Sequence, residues 1–183
     1  MRKYVAGISI ALSAGLLSFL LGMQQDPSKR SSPLGTAEIT LSGKKITINY
    51  GRPSMRGRKI FGELVPYGQV WRTGANEATS FTTEADLEVG VARVPAGKYT
   101  LYTLPSESGW RLIINKQTGQ WGTAYDQKQD LARIDMKKEV IEIPIEQFTI
   151  SFLPKGSDAA TLRLDWEKTR AQVEVKVVAV HHH

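Results

Sequence analysis

Cysteine is absent from all 183 residues, and histidine occurs only as His181, His182 and His183. Those three close the chain and read as the remains of a purification tag, which leaves the domain itself without either residue. Disulfides, thiol chemistry and a lipid-modified N-terminal cysteine are excluded. So are Ser-His-Asp and Cys-His catalysis, and the usual zinc site. Asp126, Asp130 and Asp135 stand four and five apart, whereas a calcium loop needs closely alternating acidic positions and a glycine. Neither a metal nor a cofactor is therefore expected. Helix-turn-helix, RNA-binding and zinc-finger patterns are missing too, so nucleic acid is not an expected partner. The formal net charge of +6 falls to +4 if Arg2 and Lys3 leave with an N-terminal leader, an excess that serves solubility. Nothing in the sequence indicates an oligomeric state.

What is present begins with that leader. Met1-Arg2-Lys3 is basic, Tyr4 to Met23 carries no charge, and charge returns at Asp26, Lys29 and Arg30. Basic, apolar, polar is the order of an export signal. The apolar run is also long enough to span a bilayer, and Leu20-Leu21-Gly22 is a poor cleavage site, so an uncleaved anchor formed by residues 4–23 is the competing reading. Residues 1–23 are thus expected to be a signal or anchor helix, and 24–36, with two prolines, a flexible linker. Residues 37–180 form the domain and 181–183 the tag remnant. The expected location is exported, periplasmic or extracellular, with membrane contact only through the leader.

From Ala37 the pattern is one of short β runs. Ala37–Leu41 and Lys45–Tyr50 flank Ser42-Gly43-Lys44, a hairpin signal, and Ile46, Ile48 and Tyr50 alternate with polar residues. Residues 51–69, rich in Gly and Pro, form a long connection with at most one helical turn near Ile60 to Leu64. Strands are expected at Gln69–Thr73, Glu77–Thr83, Lys98–Leu104 and Trp110–Asn115, with a hairpin about Gly90 in Leu87–Val94. Further runs follow at Leu131–Met136, Val140–Ile143, Gln147–Leu153, Ala160–Trp166 and Gln172–Val180. Roughly ten short strands, no long amphipathic helix and no repeat predict one all-β domain, a sandwich or barrel.

Several runs are distinctive together: Ile48-Asn49-Tyr50-Gly51-Arg52-Pro53-Ser54, Gly57-Arg58-Lys59-Ile60-Phe61-Gly62, Leu64-Val65-Pro66-Tyr67-Gly68, and Val70-Trp71-Arg72-Thr73-Gly74-Ala75-Asn76-Glu77-Ala78-Thr79. Val94 to Leu101, Trp110 to Lys116, Trp121-Gly122 and Leu164 to Thr169 extend the pattern. From Ala37 to Thr169 the chain resembles domain-of-unknown-function family 2911. The resemblance implies an exported bacterial protein and supplies no catalytic residues.

The residues themselves offer candidate sites. Between Lys44 and Glu77 lie seven basic residues, among them Arg52, Arg56, Arg58 and Arg72, against only Glu63 and Glu77. Arginine offers a planar fork of donors suited to carboxylate or phosphate, although a charged loop can equally be merely solvated. A strand, a Gly74-Ala75-Asn76 turn and a returning strand would set Arg72 opposite Glu77. That pair is either a pocket floor, with Glu77 as acid or base, or an ordinary cross-strand ion pair with Trp71 in the core. Tyr67, Tyr99, Tyr102, Tyr125, Trp110 and Trp121 could offer flat faces to a sugar, Trp121 being the least core-like. The leading expectation is a cell-envelope binding domain for a small anionic or glycan-like ligand or a partner, using Arg52, Arg56, Arg58, Tyr67, Arg72, Asn76, Glu77 and Trp121. A hydrolase or isomerase independent of His and Cys, using Glu77 and Arg72, is the alternative, and a structural envelope component the third.

Overall fold

The computed structural model describes residues 31–178. The expected leader, the expected linker up to residue 30 and the terminal histidines lie outside the described residues. Nine strands follow one another: β1 (Leu34–Leu41), β2 (Lys44–Gly51), β3 (Thr79–Thr83), β4 (Leu87–Val89), β5 (Ala92–Val94), β6 (Gly97–Pro105), β7 (Trp110–Asn115), β8 (Asp130–Pro154) and β9 (Ala159–Val177). All ladders are antiparallel and join into one open sheet, in the order β1-β2-β3-β6-β7-β8-β9-β4-β5. Among the described residues the only helical element is a 3-10 turn at Gln127–Gln129.

The all-β expectation holds, with nine strands in one open sheet; the structure differs from the expected strands chiefly in their length and in the run at Gln69–Thr73. Three short runs in the Asp130–Pro154 stretch are one strand of 25 residues, and two in the Ala159–Val177 stretch are one of 19. No glycine falls between Gly122 and Gly156, and neither Gly nor Pro interrupts β9. The breaks in alternation are register shifts instead, between Val140 and Ile145 and between Ile145 and Thr149, where extra residues bend the strand without ending it. Glu167, opposite Ile145, takes φ 55° at that bend. The run at Gln69–Thr73 is not a strand but a single bridge, Trp71 to Thr103. Near Ile60 the chain makes a turn, in which Ile60 O accepts from Val65 N at 2.9 Å.

Local chemistry explains the hairpins. Ser42 (φ 48°) and Gly43 (φ 73°) form the two-residue turn that matches strand twist, with Leu41 paired to Lys44. Gly90 does the same between β4 and β5, as its position in an apolar run suggests.

β8 pairs with β7 through its first residues and with β9 through the rest, so the sheet turns along this one strand. The sheet then curls until β2 meets the far half of β8. Ile150 N donates to the buried Tyr50 hydroxyl at 2.8 Å, and Arg52 donates to Phe148 O at 3.2 Å and Thr149 Oγ1 at 2.9 Å. Inside the curl Ile46, Ile48, Phe81, Leu101, Leu112 and Leu162 are buried in one cluster. Each such side chain contributes about 1.5–3 kcal/mol of burial. Below the long connection sit Phe61, Trp71, Trp110, Phe148 and Trp166, with Trp71 stacked on Trp166 at 5.7 Å and 19°.

Candidate functional site

Residues 52–78 leave β2, cross the open end of the curl and return as β3. Backbone pairing to β8 fixes their first part: Met55 N donates to Glu146 O at 2.8 Å and Phe148 N to Pro53 O at 2.9 Å. Arg56 (φ 50°) and Gly57 (φ 72°) then turn the chain. Glu167 caps the next turn, its carboxylate accepting from Ile60 N and Phe61 N at 3.3 Å each. Ile60, Phe61 and Val65 bury their side chains and hold the loop down.

Beyond Trp71, the Thr73 hydroxyl donates to Thr103 Oγ1 at 3.1 Å, and the Thr79 hydroxyl donates to Thr73 O at 2.7 Å. The backbone here packs against backbone. A Cβ on Gly51 would collide with Ala75 O, so the Asn49-Tyr50-Gly51 end of β2 needs its glycine.

A cleft of about 710 Å³ opens between this loop and the segment carrying Gly122, Thr123 and Tyr125. Trp71, Trp166 and Tyr102 also line it, and Arg56, Arg58 and Arg72 supply its charge. No aspartate or glutamate is among its described lining residues. Arg58 donates to Met55 O and Ser54 O, at 2.9 and 2.8 Å, and Arg56 to Ser31 O at 3.0 Å, so both keep donors in hand. Arg72 is half-buried, and its guanidinium makes no hydrogen bond or ion pair among the described residues. Its stem crosses Gly122, where a Cβ would lie 2.7 Å from Arg72 Cδ. Gly122 N in turn donates to Asn76 O at 3.0 Å.

Tyrosines form part of the opposite wall. Tyr125 donates to Asp130 Oδ2 at 2.6 Å and accepts from Arg133 at 2.9 Å, while Asn115 donates to Asp130 Oδ1 at 2.9 Å. Burial first, and then the hydrogen bond to the Asp130 carboxylate, push the Tyr125 hydroxyl up to about 12. Tyr102 meets the Tyr125 ring edge-on at 4.7 Å, and its hydroxyl accepts from Gln120 at 3.1 Å.

Of the residues singled out from sequence, the cleft brings together Arg56, Arg58, Arg72 and Asn76. Arg52 is turned onto β8, where it ties the curl. Tyr67 is half-buried against the core, with Lys138 Nζ 5.7 Å from its ring centre. Trp121 is 53% exposed, and Glu77 is exposed; neither is among the lining residues. The expected hairpin between Arg72 and Glu77 does not form, because each flank has another backbone partner: Trp71 pairs with Thr103, and Glu77 with Trp121. Sequence reasoning missed the Asp130 network, whose members are separated along the chain and carry no spacing signal. It had noted Tyr102 and Tyr125 only as flat rings. Among the described residues no three of His, Cys, Asp and Glu gather as a metal site would require.

The model of a family described as "Protein of unknown function (DUF2911)" matches residues 32–175. No curated protein and no solved structure matches the chain.

Proposed function

The chain belongs to the DUF2911 family, and from that premise we propose that its cleft binds a small anionic ligand without transforming it. One observation carries this reading: a half-buried Arg72 guanidinium, without a hydrogen-bond or ion-pair partner among the described residues, lines a cleft whose described lining holds two further arginines and no carboxylate. Partial burial costs a cation hydration, and in most proteins a carboxylate offsets the loss. Here a ligand's carboxylate or phosphate would do so, through the paired bonds that a planar guanidinium makes. The curl of the sheet supports a sandwich or barrel as the rigid frame, with the cleft on loops at one end. The basic-apolar-polar leader supports export, which makes this a binding domain of the periplasm or exterior.

A hydrolase or isomerase using Glu77 is the weaker reading. Glu77 stands outside the lining residues, and the Tyr125 hydroxyl, held protonated against Asp130, is a poor base at neutral pH. Calorimetric titration of the purified protein with acetate and inorganic phosphate tests the proposal. Binding by the wild type, weakened about tenfold or more in Arg72→Ala and only partly restored in Arg72→Lys, is the expected result. Equal binding by all three proteins would overturn it.

A further inference from the structure

Arg72 is not alone in the cleft in having uncommitted hydrogen-bonding capacity. Asn76 lines the same cleft and is half-buried, and its carboxamide makes no hydrogen bond among the described residues. The two residues flank one glycine: a Cβ on Gly122 would lie 2.7 Å from Arg72 Cδ and 2.7 Å from Asn76 O. Gly122 N, bonded to Asn76 O at 3.0 Å, fixes that neighbourhood through the backbone.

The chemistry of the pair is mixed. A guanidinium only donates, and so suits an anion. A carboxamide both donates and accepts, and its acceptor finds no complement in a bare phosphate or carboxylate, whereas a hydroxyl supplies both roles. The wall repeats this theme. Tyr102, almost wholly buried and lining the cleft, accepts from Gln120 Nε2 at 3.1 Å, but its own proton has no acceptor among the described residues. Tyr102 is the member of this pair that lines the cleft; Gln120 is not among the lining residues. Trp71 and Trp166 give the cleft apolar walls for the C–H faces of a ring, and about 710 Å³ is room for one or two such rings.

We propose that the anion is carried on a sugar. The ligand is an acidic saccharide whose carboxylate or phosphate meets Arg72 and whose ring hydroxyl meets Asn76. This rests on the anion-binding reading above and narrows it.

Asn76 also has a purely structural claim to its position. Its φ is 65°, a left-handed backbone that asparagine adopts more readily than most residues. Asn76→Gly separates the two roles, because glycine keeps that backbone and removes the carboxamide. The experiment is calorimetric titration of the full chain, as wild type, Asn76→Gly and Arg72→Lys. The probes are glucuronate, glucose 6-phosphate, glucose, acetate and inorganic phosphate. Wild type should bind at least one acidic sugar about tenfold or more tighter than the corresponding simple anion, as a site built to hydrogen-bond a hydroxyl discriminates. Glucuronate and glucose 6-phosphate distinguish a carboxylate from a phosphate. Asn76→Gly should shrink the ratio of sugar-acid to simple-anion affinity, and Arg72→Lys should lower both affinities. Simple anions binding as tightly as the acidic sugars, or an unchanged ratio in Asn76→Gly, would overturn the saccharide while leaving the anion site standing. Binding of no charged probe would overturn both.

Discussion

Replacing Tyr50 with Phe tests how the curl is held. The hydroxyl accepts from Ile150 N at 2.8 Å and donates to Ile150 O at 3.4 Å, and Tyr50 is only 4% exposed. The longer bond contributes little, so the effect rests on the amide. Phe preserves the ring and its edge-on contact with Phe148 at 5.6 Å and 82°, so no large cavity opens. What remains is a buried N–H with no acceptor, which costs about 1–3 kcal/mol. Urea unfolding should show that loss as a lower midpoint at unchanged slope, since the surface exposed on unfolding is the same. Tyr99→Phe is the control in the same series. Its hydroxyl donates to Pro95 O at 2.9 Å at an exposed position, where water can replace it, and the loss should stay below about 0.5 kcal/mol. Equal losses in the two variants would refute the reasoning, because the curl would then not depend on the buried bond.

Gly122→Ala should disturb the cleft and the fold together. The new methyl meets Asn76 O, a backbone atom that cannot swing away, and overpacking of this kind costs about 1–3 kcal/mol, readable by the same unfolding assay. Tyr125 should ionise near pH 12 rather than at its ordinary 10, visible as the phenolate absorbance missing from Tyr125→Phe, and Asp130→Asn should lower that value. The sign for stability follows from a raised folded pKa. The contribution is complete below the unfolded value of about 10 and is lost as pH rises through about 12, so Tyr125→Phe should flatten the alkaline loss of stability between them.

The parts of this molecule legible in its sequence are those governed by neighbours in the chain. The Ser42-Gly43 turn, the alternation of Ile46, Ile48 and Tyr50, and the Gly90 hairpin depend on local backbone preference and period, and all three stand where they were expected. Length was misjudged in β8 and β9 because a bulge breaks alternation just as a loop does. The charged loop was legible as a candidate, and three of its arginines do line the cleft. Which ones could not be read locally: Arg52 is taken up by Phe148 and Thr149, far along the chain. A short Gly-containing turn by itself would set Arg72 against Glu77, yet Thr103 and Trp121 take the flanking backbone. Asp130 has meaning only beside Tyr125, Asn115 and Arg133.

The strand order also sets a timetable. β4 and β5 are a local hairpin, but among the described residues their only ladder to the rest of the sheet is through Val175–Val177 at the end of β9. β9 is the last strand in sequence among the described residues, so the hairpin made near residue 90 waits for partners 86 to 90 residues away. Contacts of such separation must recover a large loop-closure entropy before they reward it, which slows folding. A ribosome-bound chain would therefore carry β1 to β7 with the ladder unfinished, and cooperative closure would fall after synthesis of β9.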